Sequence, residues 1–230
     1  MLIFGIDTCC MAATAALMDE HKLVAQTVVN HNRTHSQKMM PQIETMFQQA
    51  EKEVDEVDLF AAAVGPGSFT GVRIGVATVK ALAQAVGKPC VAVSTLEALA
   101  FNSTVFDGVI CPILDARRNQ VYNGLFQGGR ELVRLCEDRA LGIDQLLEEL
   151  KHTEEKILFC GDGVPAFRDV IEETLGDQCV FASRMQNLNL AGAVAELALL
   201  GHGEQVSCGE LVPQYVRLSQ AERERMEGKF

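Results

Sequence analysis

Two aspartates are the first candidates for chemistry in this 230-residue sequence, because each follows an apolar strand-like run. Asp7 and Asp115 precede turns at residues 8–11 and 116–119. A turn that cradles a phosphate brings its backbone amides close to the ligand and needs glycine for that approach. Neither turn contains glycine. The sequence therefore predicts a cleft without ATP activity, in which both aspartates accept hydrogen bonds from their own turns rather than bind a metal.

A glycine-rich turn at residues 65–71 is the second candidate. Its pattern, Gly65-x-Gly67-x-x-x-Gly71, differs by one residue from the dinucleotide-binding spacing and carries a proline. It also lacks the Lys-Ser/Thr ending of a phosphate-binding loop. We therefore favour a tight turn followed by close packing of Gly71 and Gly75.

Other polar residues give weaker signals. His31 and His35 are four residues apart, but a turn is predicted between them and a helix is predicted to begin at a Ser36 cap. They would not share a helix face, so a metal pair is not favoured. Ser36 or Ser68 as a protease nucleophile would need a positioned histidine and an oxyanion hole, and the sequence shows no such constellation.

The adjacent arginines 117 and 118 allow two interpretations. They could meet the carboxylates of a partner or a phosphate. Exposed turn arginines that form weak surface pairs are the favoured interpretation.

Composition narrows the classes of function. A chain of 230 residues that is 48% hydrophobic can form a sizeable core. Its net charge of -11 opposes direct binding of nucleic acid, so any RNA would be held mainly by another subunit. Eight cysteines without a Cys-x-x-Cys pair suggest buried thiols in a reducing compartment. No apolar run is long enough to span a membrane, and we expect a soluble, cytoplasmic protein.

A helix predicted over residues 72–86 is apolar almost all round. Its thin polar edge consists of Arg73, Lys80 and Gln84. A helix of this kind must be covered on more than one side. Because its own sheet can cover only one side, we expect another protein to cover the rest. The preceding helix, predicted over residues 36–50 with Pro41 delaying or bending its first turn, has an apolar stripe as well.

The order of elements repeats. Three strands, a helix, a strand, a Gly-x-Gly turn and a helix occur first in residues 1–105 and again in residues 106–230. This predicts an α/β fold of two lobes, each a mixed β-sheet flanked by helices, as in the actin-like superfamily. The terminal segment is a candidate to pack back on the N-terminal lobe. The cleft between the lobes would retain residues of a vestigial site, namely Asp7, Thr8, Asp115, Gly161 and Gly163.

Several motifs together resemble one family. They are Ile6-Asp7-Thr8, His35-Ser36-Gln37, the block from Gly65 to Gly75, Val93-Ser94-Thr95-Leu96-Glu97-Ala98, Asp115-Ala116-Arg117-Arg118 and Tyr215-Val216-Arg217. They resemble the bacterial TsaB family of tRNA threonylcarbamoyladenosine biosynthesis proteins. The resemblance covers nearly the whole chain.

The resemblance implies a non-catalytic subunit required for threonylcarbamoyladenosine modification of tRNA at the adenosine beside the anticodon. It would bind and activate a TsaD-like transferase together with a TsaE-like ATPase. The resemblance implies contact with tRNA only through the complex, and a homodimer when the chain is alone. Two helices would form the partner interface, with Met39, Ile43, Met46, Phe47, Arg73, Val76, Ala77 and Lys80 as contact residues. Val76→Glu and Ile43→Glu would then abolish the complex while the chain stays folded. Whether a nucleotide binds at the shared interface stays open.

The resemblance also implies a contrast with TsaD, which holds a metal with two histidines four residues apart. The equivalent stretch here, residues 94–99, has no histidine and only Glu97 as a ligand. We therefore predict neither a metal site nor a cofactor in this chain. Two alternatives remain, an ATP-dependent small-molecule kinase of the same superfamily and, less favoured, a peptidase.

Overall fold

The computed structural model describes residues 1–30 and 35–217 of the chain. Within them the chain forms two β-sheets and six α-helices. The first half contains β1 (Leu2–Asp7), β2 (Ala12–Asp19), β3 (Leu23–Asn30), α1 (His35–Gln49), β4 (Leu59–Ala63), α2 (Phe69–Val86), β5 (Cys90–Val93) and α3 (Thr95–Phe101). The second half contains β6 (Val109–Asp115), β7 (Gln120–Gln127), β8 (Val133–Gly142), α4 (Ile143–Leu150), β9 (Ile157–Cys160), α5 (Val164–Leu175), β10 (Cys179–Phe181), α6 (Ala191–Leu199) and β11 (Glu204–Val206).

The two sheets repeat one topology. The first has the order β11-β5-β4-β1-β2-β3, and the second has the order β10-β9-β6-β7-β8. In each, the first strand of the half pairs antiparallel with the second and parallel with the strand before the long helix. The predicted duplicated α/β layout is confirmed. The added strand β11 pairs with β5, and α6 packs on β1, β2 and β4, so these late elements complete the first lobe.

Helix α2 begins three residues earlier than predicted. The hydroxyl of Ser68 caps it by accepting a hydrogen bond from the amide of Gly71, and it ends at Gly87 in the left-handed region, with φ 66°. That backbone conformation suits glycine, which has no Cβ to clash. Near the start of the helix, a Cβ on Gly71 would overlap the carbonyl oxygen of Thr8. The glycines of this turn therefore let α2 pack closely on the end of β1, rather than on another helix.

The terminal segment covers a second side of α2 in the N-terminal lobe, although the sequence did not indicate that it would lie on this helix. The ammonium group of Lys80 donates to the carbonyl oxygens of Gly209 at 3.0 Å and Leu211 at 3.1 Å. The Nε of Arg73 donates to the hydroxyl of Tyr215 at 2.7 Å. The amide of Gln214 donates to the carbonyl oxygen of Val64, with a distance of 2.8 Å. The segment of residues 207–217 therefore lies beside the helix and accepts hydrogen bonds from its two cations, Arg73 and Lys80.

Helix α1 begins at His35, six residues before Pro41, so the proline does not delay the first turn. The side chain of Ser36, the predicted cap, lies outside the described part of the chain, as do His31 and the charged tail beyond residue 217. The apolar stripe of α1 faces the first lobe. The ring of Phe47 stacks on Phe4 with a centroid distance of 5.9 Å.

Five of the predicted partner-contact residues are buried in this chain's own core. They are 1–5% exposed, namely Met39, Ile43, Met46, Phe47 and Val76. The stripe identified in each helix is the side that faces the first lobe, because the largest apolar side chains bury the most surface there. In place of the expectation that those variants stay folded, we therefore predict that glutamate at Val76 or Ile43 disrupts the fold.

Helix α3 was not predicted as a separate element, and it links the lobes. It packs against β6 and β7 of the second sheet. The guanidinium of Arg134 donates to Glu97 at 2.8 Å and to Asp138 at 2.6 Å, while the Ser94 hydroxyl donates to Asp138 at 2.5 Å. Because these groups are half-buried, the network holds the lobes on either side of the cleft.

None of the helices in the described ranges is long and apolar enough to cross a membrane.

Candidate functional site

A cleft of about 500 Å³ lies between the lobes, where β1 and β6 end. Its lining consists of Cys9, Cys10, Met11, Gly67, Ser68, Leu114, Asp115, Ala116, Arg117, Tyr122 and Asp162. Of the residues predicted for a vestigial site, Asp115 lines this space. Asp7 and Thr8 are 0% and 1% exposed and lie beneath it. Gly161 and Gly163 are buried against the backbone of Ile113.

Asp7 is held inside the protein. Its Oδ1 accepts a hydrogen bond from the amide of Cys9 at 2.8 Å, and its Oδ2 accepts one from the Asn189 side chain at 3.0 Å. Burial raises the pKa of Asp7, and the two hydrogen bonds oppose that rise. Both oxygens are thus engaged by the chain. Asn189 has no signal in the sequence, because it comes from a loop 182 positions away.

Asp115 is the more exposed counterpart, with 28% of its side chain accessible. Its Oδ1 accepts from the amide of Arg117 at 2.7 Å, and its Oδ2 pairs with the guanidinium of Arg117 at 3.1 Å. Both strand-end aspartates therefore bind their own turns, as predicted. Residues 117–119 of that turn have φ of 64°, 54° and 60° without any glycine.

Three backbone amides between Ser68 and Val72 donate to acceptors within the chain. The amide of Ser68 donates to the carbonyl oxygen of Cys9 at 2.7 Å, and the amide of Val72 donates to that of Ser68 at 2.8 Å. The amide of Gly71 donates to the Ser68 hydroxyl at 3.3 Å. A Cβ on Gly67 would overlap the Cys9 carbonyl oxygen. These glycines serve contact between two parts of the chain.

The same contacts bear on nucleophilic chemistry. Ser68 caps α2, and the residues described around the cleft include no histidine that could act as its base. Burial raises the pKa of the Cys9 and Cys10 thiols well above their usual range. A thiol of this kind stays protonated at neutral pH and is a poor nucleophile.

Glu97, the one candidate ligand in residues 94–99, is engaged elsewhere. One of its oxygens accepts from Arg134 at 2.8 Å, and the other lies 3.0 Å from Nδ1 of His202. Across residues 1–30 and 35–217, no group of three or more His, Cys, Asp or Glu side chains could hold a metal ion.

A second candidate site is a groove of about 550 Å³ beside α1 and α2, lined by both apolar and charged side chains. It includes Met40, which is 48% exposed, together with Leu82 and Val54. Next to it, the outward side of α2 presents exposed alanines at 77, 81 and 85. We call these alanines and the groove the helical face. An alanine surface on an outer helix lets another helix approach closely.

The remaining predicted contact residues fall into two groups. Ala77 is exposed on the helical face. Arg73 and Lys80 lie toward the terminal segment and are bonded to it. Sequence reasoning missed Met40 and Leu82, because the stripe argument selects the buried side of a helix rather than the exposed apolar residues beside it.

Comparison with known protein families gives a match over residues 22–225 to the model for TsaD, the tRNA N6-adenosine threonylcarbamoyltransferase. The chain is also 36% identical over 231 residues to the tRNA threonylcarbamoyladenosine biosynthesis protein TsaB of Bacillus subtilis (strain 168), with all of both chains covered.

Solved structures agree on the fold. A Pseudomonas aeruginosa protein described as similar to the peptidase YeaZ matches with a TM-score of 0.78 and 26% identity, covering 94% of this chain and 99% of that one. The ROK hexokinase of Thermus thermophilus matches with a TM-score of 0.50 and 12% identity, covering 86% of this chain and all of the other. At that identity the hexokinase match concerns the fold alone, which is actin-like.

Proposed function

This chain belongs to the TsaB family of tRNA threonylcarbamoyladenosine biosynthesis proteins, and we propose that it is a non-catalytic subunit of the modifying complex. In this proposal it binds a TsaD-like transferase, holds it in its active conformation and works with a TsaE-like ATPase in the cytoplasm. The transferase carries the chemistry, and this chain meets the tRNA mainly through the complex.

The observation that carries the non-catalytic role is that polar groups at the cleft form hydrogen bonds within the chain. Phosphoryl transfer depends on positioned amides, cations and metal ions around the phosphates. Here the amides of Ser68, Gly71 and Val72 donate to the chain itself. Asp7 is fully buried and bonded at both oxygens. Asp7 and these three amides are thus engaged within the chain rather than available to a nucleotide.

The helical face is the surface we propose for the transferase. It combines a groove open to solvent with the exposed alanines of α2, and exposed apolar surface of this kind marks contact sites. The partner would present a pair of helices, because alanines permit close helix packing. When the transferase is absent, a second copy of this chain would occupy the same face and form a homodimer.

The test is co-purification with the TsaD of the same organism. Ala77→Glu and Ala81→Glu place a charge on the exposed side of α2 and should abolish the complex with little change in folding. Ala166→Glu is the matched control, because Ala166 is exposed on α5, the corresponding helix of the second lobe. A complex that survives both α2 variants would remove the helical face as the interface.

A further inference from the structure

Two aromatic rings lie together at the surface where α2 begins. Phe69 is 38% exposed and Tyr215 is 45% exposed. Their rings stack with a centroid distance of 5.0 Å and an interplanar angle of 27°. The guanidinium of Arg73 lies 3.8 Å from the centroid of Phe69. Large aromatic residues that are stacked yet exposed form a platform that further flat groups can join.

Three more arginines adjoin this platform. Arg117 and Arg118 are exposed on the β6–β7 turn. Arg217, two residues beyond Tyr215, donates to the carbonyl oxygen of Ala116 at 2.6 Å and so ties the terminal segment to that turn. Ser68, next to Phe69, and Arg117 line the same cleft. The six residues Phe69, Arg73, Arg117, Arg118, Tyr215 and Arg217 thus form one surface, which we call the arginine–aromatic patch.

The patch is rich in arginine although the chain as a whole is acidic. The whole chain carries 31 acidic and 20 basic residues. Among the residues that the structure describes, the patch contains four arginines, and the carboxylates that line the adjoining cleft are Asp115 and Asp162. Asp115 is paired with Arg117, whose side chain is still 85% exposed. A polyanion is repelled by most of an acidic surface, so a local excess of arginine sets the orientation in which it can approach.

We propose that the arginine–aromatic patch contacts a single-stranded loop of the substrate tRNA directly. RNA loops present unstacked bases and closely spaced phosphates, which proteins bind with aromatic rings and arginine. In this arrangement a base extends the Phe69–Tyr215 stack, and Arg117 and Arg118 face phosphates. The proposal deepens the function proposed above and depends on it for the identity of the RNA. It adds a contact of this chain's own to the tRNA that the transferase holds.

An acidic protein segment is the competing occupant, since arginines attract carboxylates as well. The stacked rings favour RNA, because an acidic peptide has no need of an aromatic platform, whereas an unstacked base gains from one. The test variants distinguish the two occupants, because they should weaken RNA binding in one case and protein binding in the other.

The experiment measures binding of a fluorescent anticodon stem–loop RNA by anisotropy, with the full-length chain alone and in complex with its TsaD. Tyr215→Ala should weaken binding about tenfold, since base stacking on an aromatic ring contributes on that order. Tyr215→Phe keeps the ring and should restore affinity. Replacing both Arg117 and Arg118 with alanine should lower the slope of log affinity against log salt by about 1.4, at roughly 0.7 for each phosphate contact on a single strand.

Arg168→Ala is the matched control, because Arg168 is exposed on α5 in the other lobe and should leave binding unchanged. The proposal is overturned if the wild-type chain and its complex do not bind the stem–loop, or if Tyr215→Ala has no more effect than Arg168→Ala. It is also overturned if the patch variants lose TsaD but keep RNA affinity, which would assign the patch to a protein. Failure of the function proposed above would give a different result. Ala77→Glu would then leave the complex with TsaD intact, independently of the RNA affinities measured here.

Discussion

Helices α2 and α5 occupy corresponding places in the two lobes, yet their outer surfaces differ. The outward side of α5 carries Arg168, Asp169, Glu172 and Glu173, all exposed. The outward side of α2 carries alanines and is partly covered by residues 207–217. A charged surface is stable in water, whereas an alanine surface leaves room for a close neighbour. Duplication therefore supplied two equivalent helices, and we propose that only α2 is used to bind another protein.

The strand-end aspartates show the same divergence. Asp7 is buried and bonded to Cys9 and Asn189, while Asp115 is partly exposed and bonded within its own turn. The first lobe has filled its half of the cleft with internal contacts. The second lobe keeps its turn at the surface and presents arginines there.

The largest expected effect is a difference in stability between glutamate variants at two neighbouring residues of α2. Val76 is 4% exposed, whereas Ala77 is exposed. Val76→Glu should prevent folding, because an unpaired buried carboxylate costs several kcal/mol, comparable to about 5–15 kcal/mol of total stability. Ala77→Glu should change the free energy of unfolding by less than about 0.5 kcal/mol. Thermal unfolding followed by circular dichroism measures both, and a folded Val76→Glu protein would show that α2 does not pack on the sheet through this side.

Alanine variants of the two strand-end aspartates should differ in free energy of unfolding by a smaller amount. Asp7→Ala leaves the amide of Cys9 and the side chain of Asn189 without their acceptor, and an unsatisfied buried donor costs about 1–3 kcal/mol. Asp115→Ala should cost less than about 1 kcal/mol, because solvent can replace a partly exposed acceptor. Urea unfolding of the two variants gives the comparison. Equal losses would contradict the structural role assigned to Asp7.

The raised pKa of Asp7 should also make the stability of the protein depend on pH. Burial raises its pKa above the ordinary value of 3.8, so the folded state binds this proton more tightly than the unfolded state. The contribution of this carboxyl to stability therefore falls as pH rises from about 4 through the raised pKa. The free energy of unfolding of the wild type minus that of Asp7→Asn should decline over this window. A flat or rising difference would mean that the hydrogen bonds of the carboxylate outweigh its burial.

The sequence predicted much of this molecule, and its failures have physical causes. Alternating apolar strands and helical periodicity identified the duplicated layout, and the absence of glycine after Asp7 and Asp115 identified unusual turns. Periodicity shows which side of a helix is apolar but not what covers it. For this reason Ile43 and Val76, which are buried within the chain, were predicted to contact a partner. The terminal segment was a candidate to pack on the N-terminal lobe, but residues 207–217 have no periodic pattern, so their contacts with α2 in particular could not be predicted.

The smallest effects test how the two helices hold their arginines. Arg73 on α2 donates to the Tyr215 hydroxyl at 2.7 Å, across a long sequence separation, and lies over Phe69. Arg168 on α5 pairs with Glu172 one turn away at 3.0 Å. Double-mutant cycles should give a coupling of about 1 kcal/mol for Arg73 with Tyr215, the typical net value for a hydrogen bond in a protein. The coupling of Arg168 with Glu172 should be about 0.3–0.5 kcal/mol.

Salt distinguishes the two couplings further. Added salt should reduce the coupling of Arg168 with Glu172, because screening weakens exposed ion pairs. The coupling of Arg73 with Tyr215 should persist, since the hydroxyl is neutral. The cycles use Tyr215→Phe and Glu172→Gln with alanine at each arginine, followed by urea unfolding in low and high salt. Equal couplings with equal salt dependence would mean that the terminal segment lies on α2 without stabilising it, and that the difference between the two helices is confined to their alanine and charged surfaces.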